Sequence, residues 1–294
     1  MAEGIRVDPR SALGICEDCQ SGKQTRQPNH DPVQNKVKEI LERVFSDICR
    51  QITFSTFKGY KYMLLFIDEA TGMTCAMGLK TKSSSEVLAC FKEYKEHVEL
   101  ETGKKIKILR TDDEGEYKKF MKDYLKECDI KHETTVSYSS EQNDISKCAN
   151  RTIIERTKAI LHDTGLPKQL WMEIATTVVY LKNRSPTANL DGQTPYEAWH
   201  GKKPDLSHLR ILGSTAYVHI SKNIRTKLEY NTRRCRLIGY DETNQWKMWD
   251  EEREDVIVSR DVIFDEQPDL ENSEVTIEEE MIYDENITSQ DDEE

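Results

Sequence analysis

The sequence predicts an α/β protein in which a mixed sheet flanked by helices precedes a smaller β-rich region. Three features predict this fold class. Strand-like and helix-like patterns alternate in the first half, a helical stretch follows at 150–183, and short apolar runs separated by polar turns fill 210–264. The order in the first half, strand–strand–strand–helix–strand–helix–strand, is that of a layered α/β sandwich.

The first three strands are predicted from short apolar runs. They are VFSDIC (44–49), YKYMLLFIDEA (60–70) and TCAMGLK (74–80). The second and third are close enough to pair as a hairpin through Thr71-Gly72, where glycine accommodates a tight turn.

A helix is predicted next, with Ser84 or Ser85 as its N-cap and Gly103 as its stop. Its apolar residues recur at helical spacing at Val87, Phe91, Tyr94 and Val98. A strand (KIKILRTDD, 105–113), a second helix (EYKKFMKDYLKEC, 116–128) and a fifth strand (IKHETTV, 130–136) complete the first half.

The second half changes character twice. Residues 150–183 have a helical pattern that Gly165 and Pro167 interrupt. Residues 210–264 carry the runs TAYVHI, RCRLIGY and VIVSRDVIF, which predict a small antiparallel barrel. We expect Trp171 and Trp199 to pack in cores, and we expect Trp246 and Trp249 to pack the core of the small barrel, with stacking on a base as the alternative.

The net charge of -12 is concentrated at the C-terminus. From Asp265 onwards there are 14 acidic residues and no lysine or arginine, so the first 264 residues hold 42 basic against 40 acidic residues, a net of +2. This composition predicts a disordered acidic tail at 267–294. The nearly neutral body can bind phosphate only through local basic patches, and the tail can compete for them.

Neither a membrane span nor a secretion signal is predicted. No run of about 18 apolar residues is present, and the N-terminal stretch MAEGIRVDPRSALG lacks an apolar segment. The eight cysteines are scattered, which suits a reducing compartment. We therefore expect no membrane association and a location in the nucleus or the cytoplasm.

Eight strings, in order over residues 14–266, carry a resemblance to a known family. They are FSDIC, YKYMLLFIDEATG, GKKIKILRTDDEGEY, EQNDISKCANRT, HDTGLPKQLWMEIA, YLKNRSP, TPYEAWHGKKPDLSHLRILGSTAYVHI and CRLIGYD. On these strings the chain resembles the integrase segment of copia-type LTR retrotransposon Pol polyproteins. The resemblance implies an RNase H-like integrase catalytic core with a five-stranded mixed sheet, then helices and a small SH3-like β-barrel.

The resemblance also implies a division of the chain. The expected parts are a truncated zinc-module remnant (1–31), the RNase H-like core (32–165), a helical extension (166–209), the small barrel (210–266) and the acidic tail (267–294).

The chemistry implied by the family is DNA strand transfer with two Mg²⁺ or Mn²⁺ ions held by three acidic residues. The first two positions match Asp47 and Asp112, which we expect to be catalytic and metal-binding. At the third position stands Lys147, with Gln142-Asn143 before it and Asn150-Arg151-Thr152 after it and no gap between them. An ammonium has no lone pair and cannot ligate a metal, so we expect the chemistry to be impaired.

Nearby acids offer possible rescue, although we expect them to be solvated surface groups. Glu141, Asp144 and Glu155 lie around Lys147, and Asp113 and Glu114 add acid beside Asp112.

Two further sets of residues follow from the resemblance. Cys16 and Cys19 match half of a His-His-Cys-Cys zinc module, but residues 1–15 hold no histidine, so zinc binding is not expected. DNA, as element ends and target, and a second copy of the chain are the expected partners. The candidate nucleic-acid-binding residues are Lys147, Arg151, Arg156 and Lys158.

Three functions stay open on the sequence alone. The first is an integrase by descent with impaired strand transfer, and the second is a catalytically inactive DNA-binding or scaffold protein. The third is an inert product. Lys147 is the residue that separates the first from the second.

Overall fold

The first sheet of the computed structural model contains five strands. They are β1 (Arg43–Ile48), β2 (Tyr62–Asp68), β3 (Thr74–Leu79), β4 (Ile108–Thr111) and β5 (Lys131–Thr134). Their order is β3-β2-β1-β4-β5, with β1 antiparallel to β2, β2 antiparallel to β3, and β4 parallel to both β1 and β5. This is the mixed sheet of the predicted RNase H-like fold class, which is confirmed. The structure describes residues 37–112, 120–134, 144–221, 225, 230–241 and 245–266.

The described helices are α1 (Ser84–Thr102), α2 (Phe120–Glu127), α3 (Asp144–Thr164), α4 (Trp171–Asn183) and α5 (Pro195–His200). The first two are the crossovers that parallel strands require, since α1 joins β3 to β4 and α2 joins β4 to β5. None of the helices in the described residues is both long and apolar enough to span a membrane.

Helix α1 begins one residue earlier than the sequence suggested. The predicted caps Ser84 and Ser85 are wrong, because Ser83 Oγ accepts from the backbone N–H of Glu86 at 3.4 Å. The Glu86 carboxylate in turn accepts the backbone N–H of Lys80 at 2.7 Å, which ties the helix start to the end of β3. Gly103 ends the helix with φ 66°, as predicted.

The two faces of the first sheet have separate cores. On one face Val44, Leu64 and Phe66 pack against α1 and α2. On the other face Met63 and Leu65 pack against α3 and α4. This second core continues into the C-terminal region, where it includes the buried residues Ile238 and Trp249.

A second sheet follows, with strands β6 (Thr215–His219), β7 (Thr232–Tyr240), β8 (Trp246–Asp250), β9 (Asp255–Ser259) and β10 (Val262–Asp265). All its pairs are antiparallel, in the order β10-β6-β7-β8-β9. The predicted small antiparallel unit is therefore present, and no ladder among these described strands joins β9 to β10. Trp249 is buried and Trp246 is partly buried, as expected for core residues.

Residues of the string YLKNRSP attach α4 to β3, the edge strand of the first sheet. Asn183 Oδ1 accepts the backbone N–H of Thr74 at 3.0 Å, and Asn183 Nδ2 donates to the Thr74 carbonyl at 2.8 Å. The amide thus occupies the place of a neighbouring strand at the first residue of β3. Lys182 Nζ donates to Thr74 Oγ1 at 2.8 Å beside it.

Replacing Asn183 with Leu is expected to destabilise the fold by about 2–4 kcal/mol. The change keeps the volume but leaves a buried N–H and C=O of Thr74 without partners, at about 1–3 kcal/mol each. Urea unfolding followed by circular dichroism measures this difference. A loss smaller than about 0.5 kcal/mol, typical of surface positions, would contradict the anchoring role.

Candidate functional site

The site is built where β1 and β4 end side by side. These strands are parallel, with Arg43 opposite Ile108 and Phe45 opposite Arg110. The same offset, continued past the paired residues, brings Asp47 level with Asp112. Neighbouring strands lie about 5 Å apart and directly opposed side chains share a face. The two carboxylates therefore lie close together on one face of the sheet.

That face is the one covered by α3 and α4. Side chains alternate along β1, so Asp47 shares its face with Phe45 and Cys49, and Cys49 packs in the core formed with those helices. Asp47 is 6% exposed. The Asp112 side chain is partly buried, with Oδ1 fully covered.

Helix α3 presents a buried stripe to this face. Its members are Ser146, Asn150, Ile153 and Thr157, which recur at helical spacing and are all buried. Asn150 Nδ2 donates to Asp47 Oδ2 at 2.5 Å. The residue of α3 that reaches Asp47 is therefore Asn150.

Lys147 takes a different position on the same helix. It follows the buried Ser146 by one residue, which turns its side chain about 100° away from the stripe, and it is exposed. It lies one helical turn before Asn150. The structure thus places Asn150 against Asp47, and it leaves the side chain of Lys147 exposed.

The other predicted nucleic-acid-binding residues divide between two flanks of α3. All three, Arg151, Arg156 and Lys158, are exposed. At about 100° per residue, Lys147, Arg151 and Lys158 lie within about 40° of one another, whereas Arg156 lies about 180° from Lys147. Consistent with this, Arg156 faces α4: burial and, second, the charge of Arg156 lower the pKa of Lys182 to about 8.

Two arginines nearer the sheet form ion pairs with carboxylates. Arg110 Nη2 lies 2.6 Å from Glu133 Oε2, and Arg43 Nη1 lies 2.8 Å from Glu69 Oε2. Burial opposes ionisation of Glu133, but hydrogen bonds from Arg110 and Lys131 keep its pKa below the usual value. These ion pairs stabilise the strand ends.

Cys49, two residues after Asp47, is not an activated thiol. Burial raises its pKa to about 11, and its sulfur accepts the backbone N–H of Met63 at 2.9 Å. A nucleophilic cysteine requires a lowered pKa, so Cys49 serves packing.

Several predicted site residues lie outside what the structure describes. These are Cys16, Cys19, Asp113, Glu114 and Glu141, together with the side chain of Asp144. Glu155 is described and exposed, about 80° around α3 from Lys147. Within the described part of the chain, no three His, Cys, Asp or Glu side chains converge as a metal cluster.

Sequence reasoning used Asn150 only as an alignment anchor and missed its contact with Asp47. The available signal was its place in the inward stripe of α3, four residues after Ser146 and three before Ile153. A polar residue on a buried helical face needs a hydrogen-bond partner, and the facing strand end offers Asp47.

Comparison with known proteins places the chain among transposon polyproteins. It is 37% identical over 267 residues to the retrovirus-related Pol polyprotein from transposon TNT 1-94 of Nicotiana tabacum, covering 90% of this chain and 19% of that protein. It is 30% identical over 234 residues to the corresponding protein from transposon RE2 of Arabidopsis thaliana, covering 80% of this chain and 16% of the relative. The chain thus spans less than a fifth of the length of either relative.

A family model and solved structures also match the chain. Residues 214–286 match the retroviral polymerase SH3-like domain. A chain of the simian T-cell lymphotropic virus intasome matches with a TM-score of 0.47 and 16% identity, covering 78% of this chain and 82% of that one. The HTLV-2 integrase catalytic core solved with magnesium matches with a TM-score of 0.41 and 18% identity, covering 54% and 97%. The sequence relatives carry the comparison: the homologues of this chain are retrovirus-related Pol polyproteins from copia-type transposons.

Proposed function

We propose that this chain is an integrase-like DNA-binding protein in which two-metal strand transfer is impaired at Lys147. The observation that carries the proposal is that a buried Asp47 and a partly buried Asp112 stand at neighbouring strand ends, with an exposed cation at the third acidic position. DNA ends and target DNA are its proposed partners, a second copy is its proposed oligomer partner, and nucleus or cytoplasm is its proposed location.

A pair of divalent metals does not fit the residues present. Two such ions, about 4 Å apart, need carboxylates on both sides. At about 4 Å and an effective dielectric constant of 20, each unit charge pair contributes about 4 kcal/mol. Exchanging a carboxylate for an ammonium therefore replaces attraction by repulsion of similar size.

DNA binding is supported by the outer flank of α3, where Lys147, Arg151 and Lys158 present three exposed cations. Such contacts neutralise phosphates without reading sequence. Each neutralised phosphate contributes about -0.9 to the slope of log affinity against log salt concentration. Three contacts therefore give a slope of about -2.7.

The experiment is fluorescence anisotropy with a 30-base-pair duplex across a salt series. We expect the Arg151→Ala/Lys158→Ala double variant to weaken binding and to flatten the slope by about 1.8. Arg156→Ala is the matched control because it removes one arginine from the opposite flank of the same helix. A flat salt response in the wild type, or an Arg156→Ala effect as large as the double variant's, would overturn the binding surface.

Strand-transfer assays with Mg²⁺ or Mn²⁺ test the impairment separately. We expect no joining of DNA ends by the wild type and no difference between the wild type and Asp112→Asn. Joining by the wild type that Asp112→Asn abolishes would show that the chemistry survives Lys147.

The same proposal predicts that the acidic tail lowers DNA affinity. Residues 267–294 carry 12 acidic and no basic side chains. Deleting them is expected to raise affinity about tenfold at 0.05 M salt and progressively less at higher salt, because the Debye length shrinks to about 8 Å at 0.15 M. Anisotropy measures the change.

A control variant of the same length, with the acidic residues of 267–294 changed to Gln or Asn, separates the effect of tail charge on DNA affinity from the effect of tail size. It is expected to behave like the deletion. Unchanged affinity in the neutralised variant would mean that tail charge does not oppose DNA binding.

The catalytically inactive scaffold is the alternative that the structure also accommodates. It is favoured by the intact packing around a changed site, since both cores of the first sheet are fully formed. The strand-transfer result separates it from residual activity.

A further inference from the structure

We propose that residues 273–278 of the acidic tail dock as an additional strand on the free edge of β3 in the same chain. This contact gives the tail a binding place on the first sheet. It involves the chain alone and does not depend on DNA binding.

Strand β3 has a free edge, because among the described strands it pairs with β2 alone. In such a strand every second residue directs its backbone N–H and C=O away from the partner strand. Thr74 directs both groups outward, since the Asn183 side chain bonds them. By the same alternation, Ala76 and Gly78 direct their N–H and C=O groups to the free edge, where one more strand can pair with them.

A cavity of about 450 Å³ lies along this edge, between α1 and α4. Its wall includes Ala76 of β3, Tyr94 and Val98 of α1, Tyr180 of α4 and Trp199 of α5. Strand addition uses a free backbone edge for hydrogen bonds and neighbouring pockets for alternate side chains. Both features are present here, and the largely aromatic wall suits apolar side chains.

The last described residue, Glu266, lies near this cavity. Its Oε1 accepts the backbone N–H of Ile211 at 3.1 Å. The carbonyl of the preceding Arg210 accepts the hydroxyl of Tyr240 at 2.6 Å, and Tyr240 lines the cavity. The six residues from 267 to 272 span about 20 Å when extended, at about 3.3 Å per residue. So short a connection gives the tail of the same chain an effective concentration of about 1 mM, which favours it over the tail of a second copy.

The segment 273–278 has the composition of a strand. It reads SEVTIE, and its centre holds three β-branched residues, Val275, Thr276 and Ile277. In an extended segment Val275 and Ile277 fall on one face, and Glu274 and Glu278 fall on the other. One face therefore suits the aromatic wall of the cavity, and the other presents acids.

Basic side chains along the edge favour an acidic segment. Lys182 Nζ donates to the neutral Thr74 Oγ1 at 2.8 Å, Arg184 lines the cavity, and Lys80 directly follows β3. The cavity wall also contains two acids, Glu101 and Asp241. Glu101 Oε2 accepts the indole N–H of Trp199 at 3.0 Å, which holds that carboxylate against α5. The tail carries 12 acidic and no basic side chains, so its charge is opposite to that of the edge.

The test is amide hydrogen exchange of the full chain, resolved at single residues by NMR. We expect the Ala76 and Gly78 amides to exchange at least about tenfold more slowly in the wild type than in Thr276→Pro/Ile277→Pro. Two adjacent prolines remove an N–H bond to β3 in either register of the docked strand. The Met77 amide faces β2 and should exchange equally in both proteins, which shows that the sheet is intact. Ile287→Pro/Thr288→Pro, with the same two prolines later in the tail, is the matched control and should keep the wild-type protection.

Three results would overturn the proposal. The first is equal exchange of the Ala76 amide in the wild type and in Thr276→Pro/Ile277→Pro. The second is a loss of protection in Ile287→Pro/Thr288→Pro as large as in Thr276→Pro/Ile277→Pro. The third is protection that falls on dilution of the wild type, because it would assign the occupant to a second copy. None of these measurements contains DNA, so the salt series and the strand-transfer assay judge the proposed function independently.

Discussion

Replacing Lys147 with Glu is expected to give the chain metal-dependent strand transfer at a rate at least about 100-fold above the wild type. The substitution changes the local charge by two units beside Asp47 and Asp112. Each 1.36 kcal/mol gained in the transition state gives a tenfold rate difference, so a 100-fold gain corresponds to about 2.7 kcal/mol. Position 147 lies one turn before Asn150, which touches Asp47, so a glutamate there has to turn inward from the exposed flank of α3 to reach the existing carboxylates.

The measurement is joining of labelled DNA ends to a target duplex with Mg²⁺ or Mn²⁺. Lys147→Gln is the control, because it removes the positive charge without supplying a ligand and is expected to stay near the wild-type rate. Adding Asp112→Asn to Lys147→Glu should abolish the gain. Equal activity in Lys147→Gln and Lys147→Glu would mean that repulsion alone, and not the missing ligand, limits the reaction.

The first sheet could be predicted from the sequence because its strands are short apolar runs set between clear breakers. Pairing of β2 with β3 through Gly72 and the crossover by α1 follow from local spacing and from the geometry of parallel strands. The start of α1 was misplaced because three consecutive serines offer equivalent caps. Only the hydrogen bond from Glu86 to Ser83 distinguishes them.

The site was only partly predictable, for a physical reason. Asp47 and Asp112 were visible as acids at strand ends, and the register of β1 with β4 explains why they come together. Asn150 depends on which face of α3 is buried, and that is decided by packing against β1 and α4. The position of Arg156 on the flank opposite Lys147 follows from helical spacing, and the grouping of basic residues in the sequence analysis overlooked it.

The close contact between β7 and α4, which links the second sheet to the first, could not be predicted from the sequence either. Gly239 in β7 faces Thr177 in α4, whose Oγ1 donates to the Ile238 carbonyl at 2.9 Å. A Cβ at position 239 would overlap Thr177 Oγ1. The strand also shifts its register against β8 between Leu237 and Gly239. Glycine is needed here because the helix and the strand approach too closely for any side chain.

Gly239→Ala is therefore expected to destabilise the protein by about 3 kcal/mol, because overpacking costs about 1–3 kcal/mol and the Thr177 hydrogen bond is displaced. Thr177→Ala removes the obstructing oxygen, so the double variant should be more stable than Gly239→Ala alone by about 1–2 kcal/mol. Urea unfolding of all three variants measures this coupling. Strictly additive losses would show that the two residues do not meet.

The same variant tests whether residues 210–266 fold independently of the first sheet. Ile238 and Trp249 share a buried core with Met63 and Leu65, which lie in β2. Loosening the contact between α4 and β7 should therefore lower protection against amide exchange in both sheets together, because the two sheets share one apolar core. Amide hydrogen exchange at Leu65 and Leu237 reads each sheet in the Gly239→Ala variant. Loss of protection at Leu237 with wild-type protection at Leu65 would instead mean that the second sheet opens as a separate domain.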